Sequence, residues 1–264
     1  MQDRYAGDTP DFGKYVLLRH IQSATGLRLG INCNRTQPDE VDRAGNNDGR
    51  TRHHAQLPDQ FEAAAPDIYA GLRPFDEDDY QSIENVEKAG ILPIGTCFFN
   101  EFLSYGVPRS AVAQQIRQDW FNRAFEKLRD CQIVFCDPDT GPSPLSMLDK
   151  RHTKKGPKYA HPEEICAHLN SGQSVIVIRF IRQYRGGVEQ AIRDTFHLLG
   201  TQYGVPKSRG FAVEFPRGKN STYFILPTID HEDALRRAIE VLKDNPVYRL
   251  LFNLYQYPPF QKSV

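Results

Sequence analysis

The sequence lacks net charge: 33 lysines and arginines face 33 aspartates and glutamates in 264 residues. Proteins that coat nucleic acid usually carry a basic excess, so the balance argues against that class, while it leaves room for a single local basic patch. Zero net charge also gives little colloidal repulsion, which favours self-association into a homo-oligomer. No apolar run approaches the ~20 residues of a membrane span, so no membrane partner is expected. The opening Met1-Gln2-Asp3-Arg4 lacks the apolar core of a secretory signal. Cys33, Cys97, Cys131, Cys136 and Cys166 include no CxxC pair, which excludes a zinc knuckle or a CxxC redox motif. They read as small buried hydrophobes of a reducing compartment, and the expected location is cytoplasmic. GxSxG, Walker, HExxH and GxGxxG motifs are all missing, which argues against serine hydrolases, P-loop NTPases, zincins and common dinucleotide dehydrogenases.

What is present is an alternation of strands and helices. Phe12 to about Ala24 has helical spacing, with Asp11 as the expected N-cap and Gly26 as the stop. Leu27–Cys33 reads as the first strand, and a long polar insertion follows at about 34–58. Short helices are expected near Pro66–Arg73 and Tyr80–Lys88, and a strand or broken strand pair over Gly90–Phe99. Pro108 opens an amphipathic helix to about Arg129, whose Trp120 stripe reads as core. Gln132–Cys136 and Ser174–Phe180 read as buried strands, with a helix from His161 between them. A helix from Val188, a hairpin over Gly210–Leu226, a helix over Glu232–Lys243 and an aromatic tail packed across the body complete the chain. The expected fold is one α/β domain over 1–264. It is a doubly wound, mostly parallel Rossmann-like sheet with helices on both faces and an antiparallel C-terminal hairpin.

Chemistry is sought first at Asp137-Pro138-Asp139-Thr140-Gly141. This segment follows a strand, and ligands of open α/β sheets bind at the carboxyl ends of strands. The plain alternative is an Asp-rich turn. Asp8, Asp11, Asp48, Asp137 and Asp139 also suggest a hard-cation site, in which Mg²⁺ takes one or two carboxylates plus substrate phosphates. Lys150, Arg151, Lys154, Lys155 and Lys158 form a basic loop suited to phosphate, or to a solvated surface. Adjacent His53 and His54 diverge in any regular structure and make a poor metal site.

Ala6-Gly7-Asp8-Thr9-Pro10-Asp11-Phe12-Gly13-Lys14-Tyr15 resembles the Ala-Gly-Asn-x-x-Asp-x-x-Lys-His opening of the RlmJ-type ribosomal RNA adenine-N6 methyltransferases. The element order from residue 132 to 226 is similar to the second half of class I S-adenosylmethionine-dependent methyltransferases. Their central strand ends in Asp-Pro-Pro-Tyr; here it ends in Asp137-Pro138-Asp139-Thr140. The resemblance implies a methyltransferase-like enzyme using S-adenosylmethionine on nucleic acid or a nucleotide. It implies that Gly7, Asp8 and Lys14 border the cofactor. It also implies that Asp137 and the Pro138 carbonyl accept from the amino group, with Asp139 beside them, and the basic loop contributes Lys154, Lys155 and Lys158 to substrate. Two other readings stay open: a divalent-metal nuclease or phosphodiesterase on Asp137 and Asp139, and a non-catalytic nucleotide- or protein-binding module.

Overall fold

In the computed structural model, the described residues are 1–37, 52–105, 111–144, 146–147, 151–153, 155–181, 183–202 and 210–256. Asp48, Lys150, Lys154, Pro108, the bulk of the expected insertion and the tail beyond 256 lie outside them. The strands are β1 Leu29–Asn32, β2 Cys97–Phe99, β3 Ile133–Cys136, β4 Gly141–Pro142, β5 Tyr159–Ala160, β6 Ser174–Phe180, β7 Phe211–Phe215, β8 Ser221–Leu226 and β9 Asn253–Gln256. The α-helices are α1 Thr9–Thr25, α2 His53–Gln56, α3 Pro58–Ala64, α4 Pro66–Leu72, α5 Ile83–Lys88, α6 Ala111–Lys127, α7 Pro162–Asn170, α8 Gly187–His197 and α9 Glu232–Asp244.

Seven strands form one sheet in the order β2-β1-β3-β6-β8-β7-β9, and β4 pairs with β5 alone. β1 is parallel to β2 and β3, and β3 to β6. β8 is antiparallel to both β6 and β7, and β9 to β7. Five strands therefore point one way, and β8 and β9 the other. The central strands bury both faces. Ile133, Phe135, Ile176 and Ile178 enter a core shared with α1 and α9. Val134, Cys136, Val175 and Val177 enter a second core shared with α6, α7 and α8. That period-two split is what a sheet covered on both sides requires. The fold is α/β and Rossmann-like, as the alternation of elements predicts.

Three local expectations change. The start of the aromatic tail is a strand, β9, which pairs outside β7 at the edge of the sheet. Glu214 of β7 is buried and needs donors, and β9 supplies two: Asn253 Nδ2 at 2.9 Å and the Tyr255 hydroxyl at 3.0 Å. The tail thus continues the sheet rather than crossing the body. Between Gly90 and Phe99 only Cys97–Phe99 is strand; the chain turns over Pro93–Thr96, where Gly95 has φ +90°. Finally, α1 begins at Thr9, not Phe12, and its cap is Asp8.

α1 is close to the sheet because Gly13 has no side chain. A Cβ there would lie 2.4 Å from the Phe215 ring. Every residue from Thr9 to Leu18 is buried in consequence, charged Asp11 and Lys14 included. The fold thus places ionisable groups in the interior at the carboxyl end of the sheet.

Candidate active site at the carboxyl end of the sheet

The site is built from the start of α1 and the end of β3. Pro10 in the first turn needs no N–H partner there. Asp8 caps the helix, its Oδ1 accepting from the Asp11 N–H at 3.1 Å. Asp11, the expected cap, has other work. Its Oδ2 accepts from the Gly7 N–H at 2.9 Å and from the Tyr15 hydroxyl at 3.0 Å, and its Oδ1 pairs with Lys14 Nζ at 2.6 Å. Gly7, at φ +77° with Phe75 against it, turns the chain into that arrangement.

Lys14 Nζ also reaches Asp137 Oδ2 at 2.7 Å. Asp137 continues β3 by one residue, its N–H donating to the Asn32 carbonyl at 3.0 Å. One buried ammonium therefore bridges two buried carboxylates. Burial by itself would lower Lys14, but Asp11 and Asp137 outweigh it and hold the ammonium well above the usual lysine range. Burial pushes Asp137 up, against the pull of Lys14. Burial and the charge of Asp11 push Asp8 well up. Carboxyls displaced toward neutral pH are suited to accept or donate a proton.

A cleft of about 390 Å³ opens over these groups. Asp8, Asp11, Lys14, Asp137, Pro138 and Asp139 line one part of it. Ile178, Arg179, Phe180 and Tyr184, from β6 and beyond, line another, with Tyr5 and Lys219. Successive residues of β6 point to opposite faces, so the cleft straddles the end of the sheet. Arg179 lies over the Tyr184 ring at 5.5 Å and donates to Thr195 Oγ1. Lys219 lies over the Tyr5 ring at 4.8 Å. The floor is acidic, the walls apolar and aromatic, and two cations stand at the sides. Gly141, at φ +135°, lets the loop after β3 lie on Arg179: a Cβ there would be 2.9 Å from Arg179 Cγ.

The structure thus brings Asp8, Lys14, Asp137, Pro138 and Asp139 together, with Gly7 behind them. Lys155 and Lys158 are elsewhere, and Lys154 lies outside the described residues. Lys155 is exposed, and Lys158 offers its carbonyl to the Thr140 N–H at 3.0 Å. This segment acts as a brace: β5 pairs with β4, Gly141 opposite Tyr159. Buried Arg117 of α6 grips the brace from below. It donates to the carbonyls of Gly156 and Tyr159 at 3.0 and 2.8 Å, and bidentately to Glu164 at 2.6 and 2.8 Å. The sequence reading missed Tyr5, Arg179, Tyr184 and Lys219. A signal existed for one: Arg179 is the only charge in an otherwise apolar strand.

The cofactor implied by the resemblance belongs at the point where strand order reverses, between β1 and β3. That crevice holds Met1 and Gln2. The Met1 α-amino group donates to the carbonyls of Cys33, Asn34 and Asp137 at 3.0, 2.8 and 2.9 Å. Gln2 is fully buried, and the turn after β1 has no glycine. These residues do not fit S-adenosylmethionine there. The Mg²⁺ alternative needs Asp137 and Asp139 to turn oxygens to one point. Asp137 is held by Lys14, while Asp139 Oδ2 accepts from Gln2 Nε2 at 2.9 Å and Thr36 Oγ1 at 3.1 Å. Among the described residues, no three His, Cys, Asp or Glu side chains converge for a metal.

Asp8 gives a pH test. An acid whose folded pKa is raised contributes stability below its ordinary value of 3.8, and that contribution is lost as pH rises through the raised value. At neutral pH an ionised Asp8 is a cost. Asp8→Asn keeps a good cap without the charge. Its melting temperature is expected to exceed the wild type at pH 7, and the gain to vanish near pH 4. A lower melting temperature at pH 7 would show that the carboxylate is compensated.

Compared with known proteins, the sequence matches no family model and no curated protein.

Proposed function

We propose that the chain acts on a nucleotide, free or in single-stranded nucleic acid, bound in the cleft at the ends of β3 and β6. The observation that carries this reading is the division of charge in the cleft. Asp137 and Asp8 at the floor are acceptors for an exocyclic amino group. Tyr5, Phe180 and Tyr184 offer aromatic and apolar surface to a base. Arg179 and Lys219 at the sides suit a phosphate. The volume is in the range of small-ligand sites. A base inside a duplex does not reach such a floor without extrusion.

The methyl-acceptor half of the resemblance is supported by this arrangement; the cofactor half is not. Asp137, paired with Lys14 and shifted toward neutral pH, is the group we assign to accept a proton or a hydrogen bond from the amino group. Enzymatic action at that amino group is part of the proposal.

Calorimetric titration with AMP, CMP and UMP tests it. AMP and CMP carry an exocyclic amino group and are expected to bind more tightly than UMP. Asp137→Asn is expected to weaken AMP or CMP at least tenfold, about 1.4 kcal/mol, and UMP less. A parallel titration with S-adenosylmethionine separates the two halves of the resemblance. Absence of nucleotide binding at millimolar concentration, or equal binding by Asp137→Asn, removes the reading.

A further inference from the structure

Cys97 and Cys131 share one face of the sheet. Cys97 is in register with Gly30 on the neighbouring parallel strand. In-register residues of adjacent strands present their side chains to the same face. Gly30 has no side chain, and the point its Cβ would occupy is 2.9 Å from Cys131 Sγ. The space over Gly30 is therefore filled by the Cys131 side chain, on the same face to which the neighbouring Cys97 points.

The two thiols differ in access. Cys97 is half-buried and Cys131 is buried. Exposed Arg28 donates from Nη2 to Cys97 Sγ at 3.1 Å. The thiolate is the form of a cysteine that reacts with a peroxide, and Cys97 is the more accessible of the two. Burial, and then Cys97, push the Cys131 thiol up to about 12, so it stays protonated and slow to react alone. Cys166 is the natural comparison. It is also half-buried, but burial and the nearby Glu163 raise its thiol. Cys33 and Cys136 are buried.

We propose that Cys97 and Cys131 form a hydroperoxide-sensitive dithiol that closes a disulfide over Gly30. The Cys97 thiolate attacks one peroxide oxygen. The O–O bond breaks, an S–O bond forms, and the leaving hydroxide takes a proton to become water. The Cys131 sulfur then attacks the Cys97 sulfenic sulfur. The S–O bond breaks, an S–S bond forms, and the second hydroxide leaves with the Cys131 proton as water. Two thiols are oxidised by two electrons, and one peroxide is reduced to two waters. The bond ties edge strand β2 to the segment entering β3, across β1. This inference is independent of the nucleotide reading, since neither cysteine lines the cleft.

The test uses the full chain with hydrogen peroxide, followed by alkylation and peptide mass spectrometry. The expected product is a linked pair of peptides carrying Cys97 and Cys131, reversed by dithiothreitol, with Cys166 still open to alkylation. Cys131→Ser is expected to stop at a Cys97 sulfenic acid that dimedone captures. Peroxide treatment that leaves Cys97 and Cys131 unlinked, or that oxidises Cys166 as readily as the pair, overturns the proposal.

Discussion

Lys14→Met is expected to cost about 3–5 kcal/mol of folding stability, a fall in Tm of roughly 10 °C for a chain of this size. Methionine fills most of the volume but leaves Asp11 and Asp137 facing each other without the ammonium that lies 2.6 and 2.7 Å from them. Breaking a buried ion pair by removing one partner is costly because the remaining charge stays desolvated. The raised pKa of Lys14 means that its contribution is complete below about 10.4 and is lost only as pH rises through the folded value. Wild-type stability is thus insensitive to Lys14 titration near neutrality. In the variant, the two carboxyls are relieved only by protonation, so its Tm should climb as pH falls from 7 to 5. Thermal melts across that range check both statements. A Tm within two or three degrees of the wild type at pH 7 would mean that water or a rearranged side chain replaces the ammonium.

The second large effect belongs to Arg117→Met, again about 3–5 kcal/mol. The substitution strands Glu164 and removes the donors of the Gly156 and Tyr159 carbonyls together. Burial would raise Glu164, but Arg117 outweighs it and holds the carboxyl below its usual range. Stability from a lowered acid is present above its unfolded value, near 4.3, and is lost as pH falls through the folded one. The deficit of the variant should therefore be complete at pH 7 and shrink in acid. A structural reading alone predicts only that loss. The brace adds a second: Arg117 holds residues 156–160, these hold Thr140–Ser143, and those continue from the floor of the cleft. Hydrogen exchange should quicken at 156–160, and affinity for the nucleotide proposed for the cleft should weaken although Arg117 does not line it. Arg117→Lys should recover only part, because an ammonium cannot reproduce the bidentate fork. Unchanged exchange in this segment would separate the clamp from the brace.

The layers of the fold are legible in the sequence where periodicity is strong. Ser174–Phe180, the hairpin strands and the helix at Glu232 appear where the pattern places them. The start of α1 is a subtler case. Asp8 and Asp11 have equal capping chemistry, and helical spacing begins after the second. The preference of proline for the first turn favours Asp8, since Pro10 then sits inside the helix. The edge of the sheet was illegible for a different reason. Nothing local to Asn253 or Tyr255 reveals that a buried glutamate lacks partners 39 and 41 residues earlier.

The candidate site shows the same divide. Asp137 stands out because it ends a buried strand, and Lys14 because of the resemblance at the chain's opening. Their contact spans 123 residues and follows only from α1 lying on the sheet. The basic run around Lys155 and Lys158 reads as a phosphate loop by composition. Gly156, Pro157 and Lys158 instead make a short turn whose Gly156 carbonyl accepts from Arg117. Lys219 reads as an ordinary hairpin turn, and only the pairing of β6 with β8 brings that turn beside the cleft.

The contact between α1 and α9 bears on how the chain is made. Phe12, Val16 and Leu17 of α1 share one core with Leu235, Ile239 and Leu242 of α9, and His20 Nε2 of α1 donates to the Ala238 carbonyl at 2.7 Å. Roughly two hundred residues separate the two helices, and ribosomes add about 5–20 residues per second. For some tens of seconds the nascent chain therefore carries an apolar helix without its cover. Pairings this distant in sequence also slow folding after release. Biogenesis of this protein should accordingly depend on chaperone protection of its first segment, a demand set by topology and not by the stability of the finished fold.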